Sequence, residues 1–350
     1  STFEMKKFIK KTISVILSIA VLTVPVSAVP VETASAAEPI VVVIDPGHGG
    51  SNLGTDYLPI PEKVYTMVVA QYMKEELEKF QNVEVYLTHT EDVKMDLDER
   101  AAFAQGVDAD FLFSLHFNMS LSHTLYGSEV WIPSTGQLYS QGYSAANEFL
   151  TQFEEMGLFN RGIKTRIGSN GNSDYYGIIR ECSIRSIPAV IVEHCHVDNI
   201  NDTPYIQSPE KLREFGVRDA QAVARYFGLV SKDKTKDYSN YAPLAVPVPA
   251  SRVHNDTTAP VYVSANLLKY DQTGKTATVE LTALDAESPI QYYAYSCDNG
   301  LTWSALQPWA KGSPTLTVSL NIGYGSNNTL IFKAYNLYDM STQSNVIQLP

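Results

Sequence analysis

Residues Ile40-Val41-Val42-Val43-Ile44 form an unbroken β-branched run that passes directly into Asp45-Pro46-Gly47-His48-Gly49-Gly50. A run with apolar side chains on both faces reads as a strand buried on both sides, as in a parallel sheet covered by helices. Glycines on either side of His48 let the backbone turn sharply and leave the imidazole uncovered at the carboxyl end of that strand. In open α/β sheets this edge is where ligand crevices form.

The text that follows alternates between strand and helix signals. Residues 61–79 place Val64, Met67, Val68, Tyr72 and Leu77 at helical spacing, and residues 83–87 alternate as a strand. Residues 97–105 read as a helix closed by Gly106, and residues 111–115 and 128–132 as strands. A helix over 144–156, short strands over 176–179 and 189–192, and a last helix over 209–227 capped by Ser208 complete the pattern. The expected fold of residues 37–230 is α/β, with a twisted, largely parallel sheet flanked by helices.

The flanks differ. Lys6, Lys7, Lys10 and Lys11 precede an apolar stretch over 13–26, with small-residue sites at Val26-Ser27-Ala28 and Ala34-Ser35-Ala36. That pattern predicts a signal peptide over 1–36 and a secreted, extracellular protein with no transmembrane span in the mature chain. Residues 231–258 mix charges with Pro243, Pro247 and Pro249 and read as a linker. Residues 259–350 carry short strand-like runs and an Asp298-Asn299-Gly300 turn, which predicts an all-β sandwich.

Lys and Arg number 26 against 38 Asp and Glu, a net charge of −12, so a nucleic-acid partner is not expected. Three cysteines cannot build a disulfide framework. Nothing in the composition calls for an oligomer, and a monomer is expected.

Four residues carry the expected chemistry. His48 and His116 stand at the ends of two different strands, Glu62 opens a helix, and Glu193 ends the apolar run Ala189-Val190-Ile191-Val192. Two histidines and a glutamate suit a catalytic zinc that keeps an open position. A further glutamate is what a zinc hydrolase needs as general base.

These residues resemble the zinc-dependent N-acetylmuramoyl-L-alanine amidases, which cut the glycan–peptide bond of bacterial cell walls. The resemblance runs over residues 40–229. It rests on Ile44-Asp45-Pro46-Gly47-His48-Gly49-Gly50, Glu62-Lys63, Asp98-Glu99-Arg100-Ala101, the run from Ala109 to Asn118, and Pro188 to Glu193. It implies a phosphorylase/hydrolase-like α/β fold, a zinc ion held by His48, Glu62 and His116, Glu193 as the catalytic carboxylate, and peptidoglycan as substrate. Thr88-His89, Phe117 and His194-Cys195-His196 depart from the family's usual text. The last three are read as substituted loop residues beside the site; a Cys182–Cys195 disulfide is left open, because sequence does not supply the closeness it needs. Asp45 either supports a ligand histidine or caps its turn. The C-terminal run from Tyr292 to Trp303 resembles bacterial immunoglobulin-like or fibronectin-type modules, with Tyr292, Tyr293, Tyr295, Trp303 and Trp309 expected mostly in the core.

Overall fold

A computed structural model describes residues 37–322 and 328–350; the signal peptide expected over 1–36 lies outside the described residues. Residues 40–350 form one compact unit. No described helix is long and apolar enough to cross a membrane.

The β-branched run forms β1 (Ile40–Pro46), parallel to β2 (Val83–Leu87) on one side and β3 (Phe111–Asn118) on the other. β6 (Ala189–His196) continues the sheet in parallel beyond β3. β4 (Ser128–Trp131) then runs antiparallel to β6 and parallel to the edge strand β5 (Asn160–Lys164). The order β2-β1-β3-β6-β4-β5 is therefore mixed: a parallel sheet with one antiparallel ladder.

Alternation in the strands divides the core. Val42, Ile44, Phe113, Leu115, Val190 and Val192 face α1 (Glu62–Leu77), α3 (Gly136–Met156) and α5 (Pro209–Phe227). Val43, Leu112, Ala189 and Ile191 face the shorter α2 (Leu97–Gly106) and α4 (Gly177–Ile184). Each fully buried side chain of this kind contributes about 1.5–3 kcal/mol. A capping box between Asp96 and Glu99 starts α2, and left-handed Gly157 and Gly228 stop α3 and α5. Because α2 and α4 are short, their face of the sheet is the one on which a cleft can open.

Two expectations need correction. Residues 176–179 are not a strand; Tyr176 precedes α4, which begins at Gly177. A four-residue apolar run fits either element, and here it faces the sheet as a helix. Strand β6 does not end at Glu193 but runs on to His196, so His194-Cys195-His196 is buried strand rather than loop.

The C-terminal region is strand-rich and antiparallel. β11 (Thr315–Asn321), β8 (Thr276–Leu284) and β7 (Tyr262–Asp271) form one sheet. β10 (Gln307–Pro308), β9 (Ile290–Ser296), β12 (Thr329–Asn336), β13 (Ser341–Gln343) and β14 (Ile347–Gln348) form the other. Val279, Leu281, Tyr293, Trp309, Leu330 and Phe332 share one apolar cluster between them. Tyr292 leaves that core. It is fully buried against Tyr126 and Phe159 of the α/β region, and its hydroxyl donates to the Tyr126 carbonyl. Gly162 on β5 leaves room for Leu337, because a Cβ there would stand 2.5 Å from Leu337 Cδ1.

Candidate metal centre and catalytic cleft

The loop after β1, the start of α1 and the end of β3 meet at the carboxyl edge of the sheet. His48 Nε2 lies 3.1 Å from Glu62 Oε2, and His116 Nδ1 lies 3.1 Å from Glu62 Oε1. One ligand atom from each of the three residues lies within 4.8 Å of the others. The loop geometry that allows this is specific: His48 has φ 68°, and a Cβ on Gly47 would stand 2.3 Å from the His116 ring.

Hydrogen bonds behind the site decide which ring nitrogens are free. The Gly54 N–H fixes Asn52 Oδ1 as an acceptor at 3.2 Å, and that oxygen faces His48 Nδ1 at 2.9 Å. His48 Nδ1 therefore donates, leaving the lone pair of Nε2 toward Glu62. Ser114 Oγ donates to Asp45 Oδ2 at 2.7 Å and so accepts from His116 Nε2 at 3.1 Å. The lone pair of His116 Nδ1 then faces Glu62 as well. Glu62 is itself held by the Thr55 and Phe117 N–H groups, at 2.8 and 3.0 Å. Two lone pairs against a carboxylate repel unless a positive charge lies among them. Burial alone would lower the His48 pKa, yet Glu62 raises it overall. Burial likewise opposes the ionised form of Glu62, and the two imidazoles override it and hold the carboxyl low. A dication meets the same demand, and oriented imidazoles with their outer nitrogens hydrogen-bonded are the usual frame for one.

Asp45 touches neither imidazole. It accepts from Arg100 Nη1, Thr88 Oγ1 and Ser114 Oγ, at 2.8, 2.7 and 2.7 Å. Arg100 also donates to the carbonyls of Pro46 and His48, at 2.8 and 2.9 Å, so this buried pair fixes the loop that carries His48. His89 takes part in the same work: Nε2 lies 2.9 Å from the Pro46 carbonyl.

Glu193 is aligned with His116 on one neighbouring strand and with Glu129 on the other. The row lies on the face of α2 and α4. Glu193 Oε2 is shut off from solvent and has no hydrogen-bond partner. Burial pushes this carboxyl well above the usual carboxylate range; Glu62 and Glu129 add to the rise and Arg161 opposes it. Glu129 accepts from Asn118 Nδ2 at 2.7 Å and Lys164 Nζ at 2.5 Å, and lies 3.1 Å from Arg161 Nη2. Glu129, Arg161 and Lys164 were not anticipated from the sequence. The available signal was slight: Glu129 next to Val130 and Trp131, and Arg161 and Lys164 around Ile163 in short strands.

The histidines after Glu193 do not enter the cleft. His194 Nε2 lies 2.7 Å from Asp219 Oδ2 and Nδ1 lies 2.9 Å from the His116 carbonyl, among Phe117, Phe153 and Phe215. His196 Nδ1 lies 3.1 Å from the Gly127 carbonyl. Cys182 and Cys195 are free thiols in the clusters on opposite faces of the sheet, so the disulfide that the sequence left open is not formed.

The sequence profile of the N-acetylmuramoyl-L-alanine amidases matches residues 42–225. N-acetylmuramoyl-L-alanine amidase CwlM of Bacillus licheniformis is 29% identical over 190 residues, covering 54% of this chain and 69% of that protein. N-acetylmuramoyl-L-alanine amidase AmiC of Escherichia coli O6:H1 is 37% identical over 98 residues, covering 28% of this chain and 24% of that protein. Among solved structures, Cwp6 from Clostridium difficile aligns with a TM-score of 0.50 and 31% identity, over 57% of this chain and 30% of that one.

Proposed function

We propose that this chain, which belongs to the N-acetylmuramoyl-L-alanine amidase family and is an amide hydrolase of that class, is a zinc-dependent enzyme of bacterial peptidoglycan. It cuts the amide between the lactyl group of N-acetylmuramic acid and L-alanine. The observation that carries this reading is the convergence of His48 Nε2, His116 Nδ1 and the Glu62 carboxylate, with both imidazole lone pairs turned inward.

His48, Glu62 and His116 would hold the ion. When bound, zinc polarises an amide carbonyl and makes water a nucleophile near neutral pH. Asn52 and Ser114 keep the two imidazoles in the tautomers that leave the ligand nitrogens bare. Glu193, with its unpartnered Oε2, takes a proton from the attacking water and returns it to the leaving amine of L-alanine. Burial, Glu62 and Glu129 raise its pKa, which favours holding the proton between its arrival from water and its delivery to the amine.

In this reading residues 1–36 direct secretion, and the mature protein acts at the cell wall as a monomer. Residues 37–230 are the catalytic domain, 231–258 the connecting segment and 259–350 an immunoglobulin-like β-sandwich. Purified sacculi digested with and without a chelator, with mass analysis of the fragments, test the activity. Amidase action yields peptides beginning with L-alanine and glycan strands with free lactyl carboxylates, and chelation abolishes both. Fragments cut between two amino acids, or release that chelation does not alter, would refute it.

A further inference from the structure

Arg161 and Lys164 stand three apart on β5, a spacing that in a regular strand sends side chains to opposite faces. Both nonetheless reach one carboxylate oxygen. Arg161 Nε donates to Glu129 Oε2 at 3.2 Å, and Lys164 Nζ donates to the same atom at 2.5 Å. The cause is a bulge. Ser128 pairs with Asn160 and Val130 with Ile163, so Arg161 and Gly162 together stand opposite Glu129. The extra residue re-aims the side chains that follow it, and Gly162 takes the φ of 95° that this needs.

A turn of the C-terminal region is seated on this bulge. β5 is the edge strand of its sheet, with β4 as its partner, so no second strand holds the irregular backbone. Leu337 lies against Gly162, and Tyr338 Oη both accepts from the Thr165 N–H at 3.1 Å and donates to the Thr165 carbonyl at 3.0 Å. Asp339 takes Arg161 at two points and is itself held by Gln291 Nε2 at 3.1 Å. Asp339 has φ 65°, a backbone conformation strained for most side chains. The turn therefore carries a carboxylate at a position where glycine would be easier.

On its other side Glu129 reaches the cleft. It is the cross-strand neighbour of Glu193, and its Oε1 accepts from Asn118 Nδ2 at 2.7 Å. Asn118 lies two residues beyond His116 on β3, and β6 runs between β3 and β4. The Asn118–Glu129 bond thus crosses the strand that carries Glu193. An unbroken series of contacts runs from Asp339 through Arg161 and Glu129 to the end of the strand that bears His116.

We infer that the Leu337–Asp339 turn is a positioning element of the hydrolytic site. Asp339 seats Arg161, Arg161 seats Glu129, and Glu129 keeps Glu193 and the end of β3 in their working geometry. The inference rests on the amidase reading. It makes the C-terminal region a part of the catalytic unit, with Asp339 as a positioning residue that acts through Arg161 and Glu129.

The test compares the full native chain with Asp339→Asn, which keeps the side chain's size and tolerates the left-handed turn but loses the charge. Peptidoglycan turnover is expressed per bound zinc, so unfolded material drops out of the comparison. Asp339→Asn should lose about tenfold in kcat while KM stays within about twofold, the pattern of a displaced catalytic group and not of a lost substrate contact. Amide hydrogen exchange is the second readout. The amides of residues 116–119 and 193–196 should exchange about tenfold faster in the variant relative to those of β2, which the turn does not reach. Native turnover per zinc in Asp339→Asn, or an exchange rise equal in β2 and β3, refutes the inference while the amidase reading stands. If the native chain itself releases no peptides beginning with L-alanine, the amidase reading falls and the exchange ratio alone decides. A rise confined to β3 and β6 then supports the positioning turn, and a uniform or absent rise refutes it.

Discussion

Arg161 and Asp339, 178 positions apart in the chain, meet in a two-point ion pair at 2.8 and 3.2 Å. Arg161 is fully buried and reaches Glu129 on its other side, so a turn of the C-terminal region closes a charge network that ends beside Glu193. Removing Asp339 leaves a buried guanidinium with half its partners. Asp339→Ala should cost about 2 kcal/mol, below the cost of breaking a fully buried pair because Asp339 is partly exposed. Chemical denaturation measures this, and an unchanged midpoint would show that the pair contributes nothing.

Glu129 gives the network a pH signature. Burial by itself would raise its carboxyl, but the charges of Arg161, Lys164 and His196 override burial and hold it well below the usual range. Such a group stabilises the fold above its ordinary value of 4.5 and loses that contribution as pH falls through the lower folded value. Glu129→Gln should therefore be less stable than the native chain by about 3 kcal/mol at neutral pH. The gap should narrow steadily as the pH is taken below the ordinary value. A gap of constant size across that range would contradict the assignment.

Gly54 tests the metal frame without replacing a ligand. It has φ +70°, and an added Cβ would stand 2.4 Å from Glu62 Oε2 and 2.6 Å from His48 Cδ2. Gly54→Ala should weaken zinc binding by about tenfold, the loss expected when support behind a ligand is disturbed, while the circular dichroism spectrum stays native. Equilibrium dialysis giving the native affinity would count against a site at this position.

The thiols offer a check on the sheet itself. Burial pushes the Cys182 thiol up to about 12, with Asp45 adding to the rise, and lifts Cys195 well above its ordinary value. Neither thiol should react with iodoacetamide at about pH 8 in the folded chain, and both should react after denaturation. Mass mapping of rapid native labelling at Cys195 would contradict its place beneath the sheet.

What could be read in advance follows from the range of each signal. His48, Glu62, His116 and Glu193 each follow closely on an apolar run or open a helix, so local pattern marks them before any tertiary contact is known. Periodicity also locates β1 and α5, whose caps and apolar runs are long. It does not distinguish residues 176–179 as strand or helix, because the run is shorter than either period needs. The fate of His194-Cys195-His196 was hidden for another reason. The pairing of β3 with β6 shifts between His116 and Asn118, and such irregularities depend on the partner strand. Arg161 and Lys164 become intelligible only once Asp339 and Glu129 are seen on either side.

The central claim is that His48, Glu62 and His116 share one dication beside a separate acid–base carboxylate. Its most direct test measures zinc content and peptidoglycan hydrolysis together in the native chain, His48→Ala and Glu193→Ala. The account predicts about one zinc per native chain. His48→Ala should lose both metal and turnover, and Glu193→Ala should keep the metal and lose turnover. A His48→Ala protein that retains its zinc, or a Glu193→Ala protein that digests sacculi at the native rate, would contradict it.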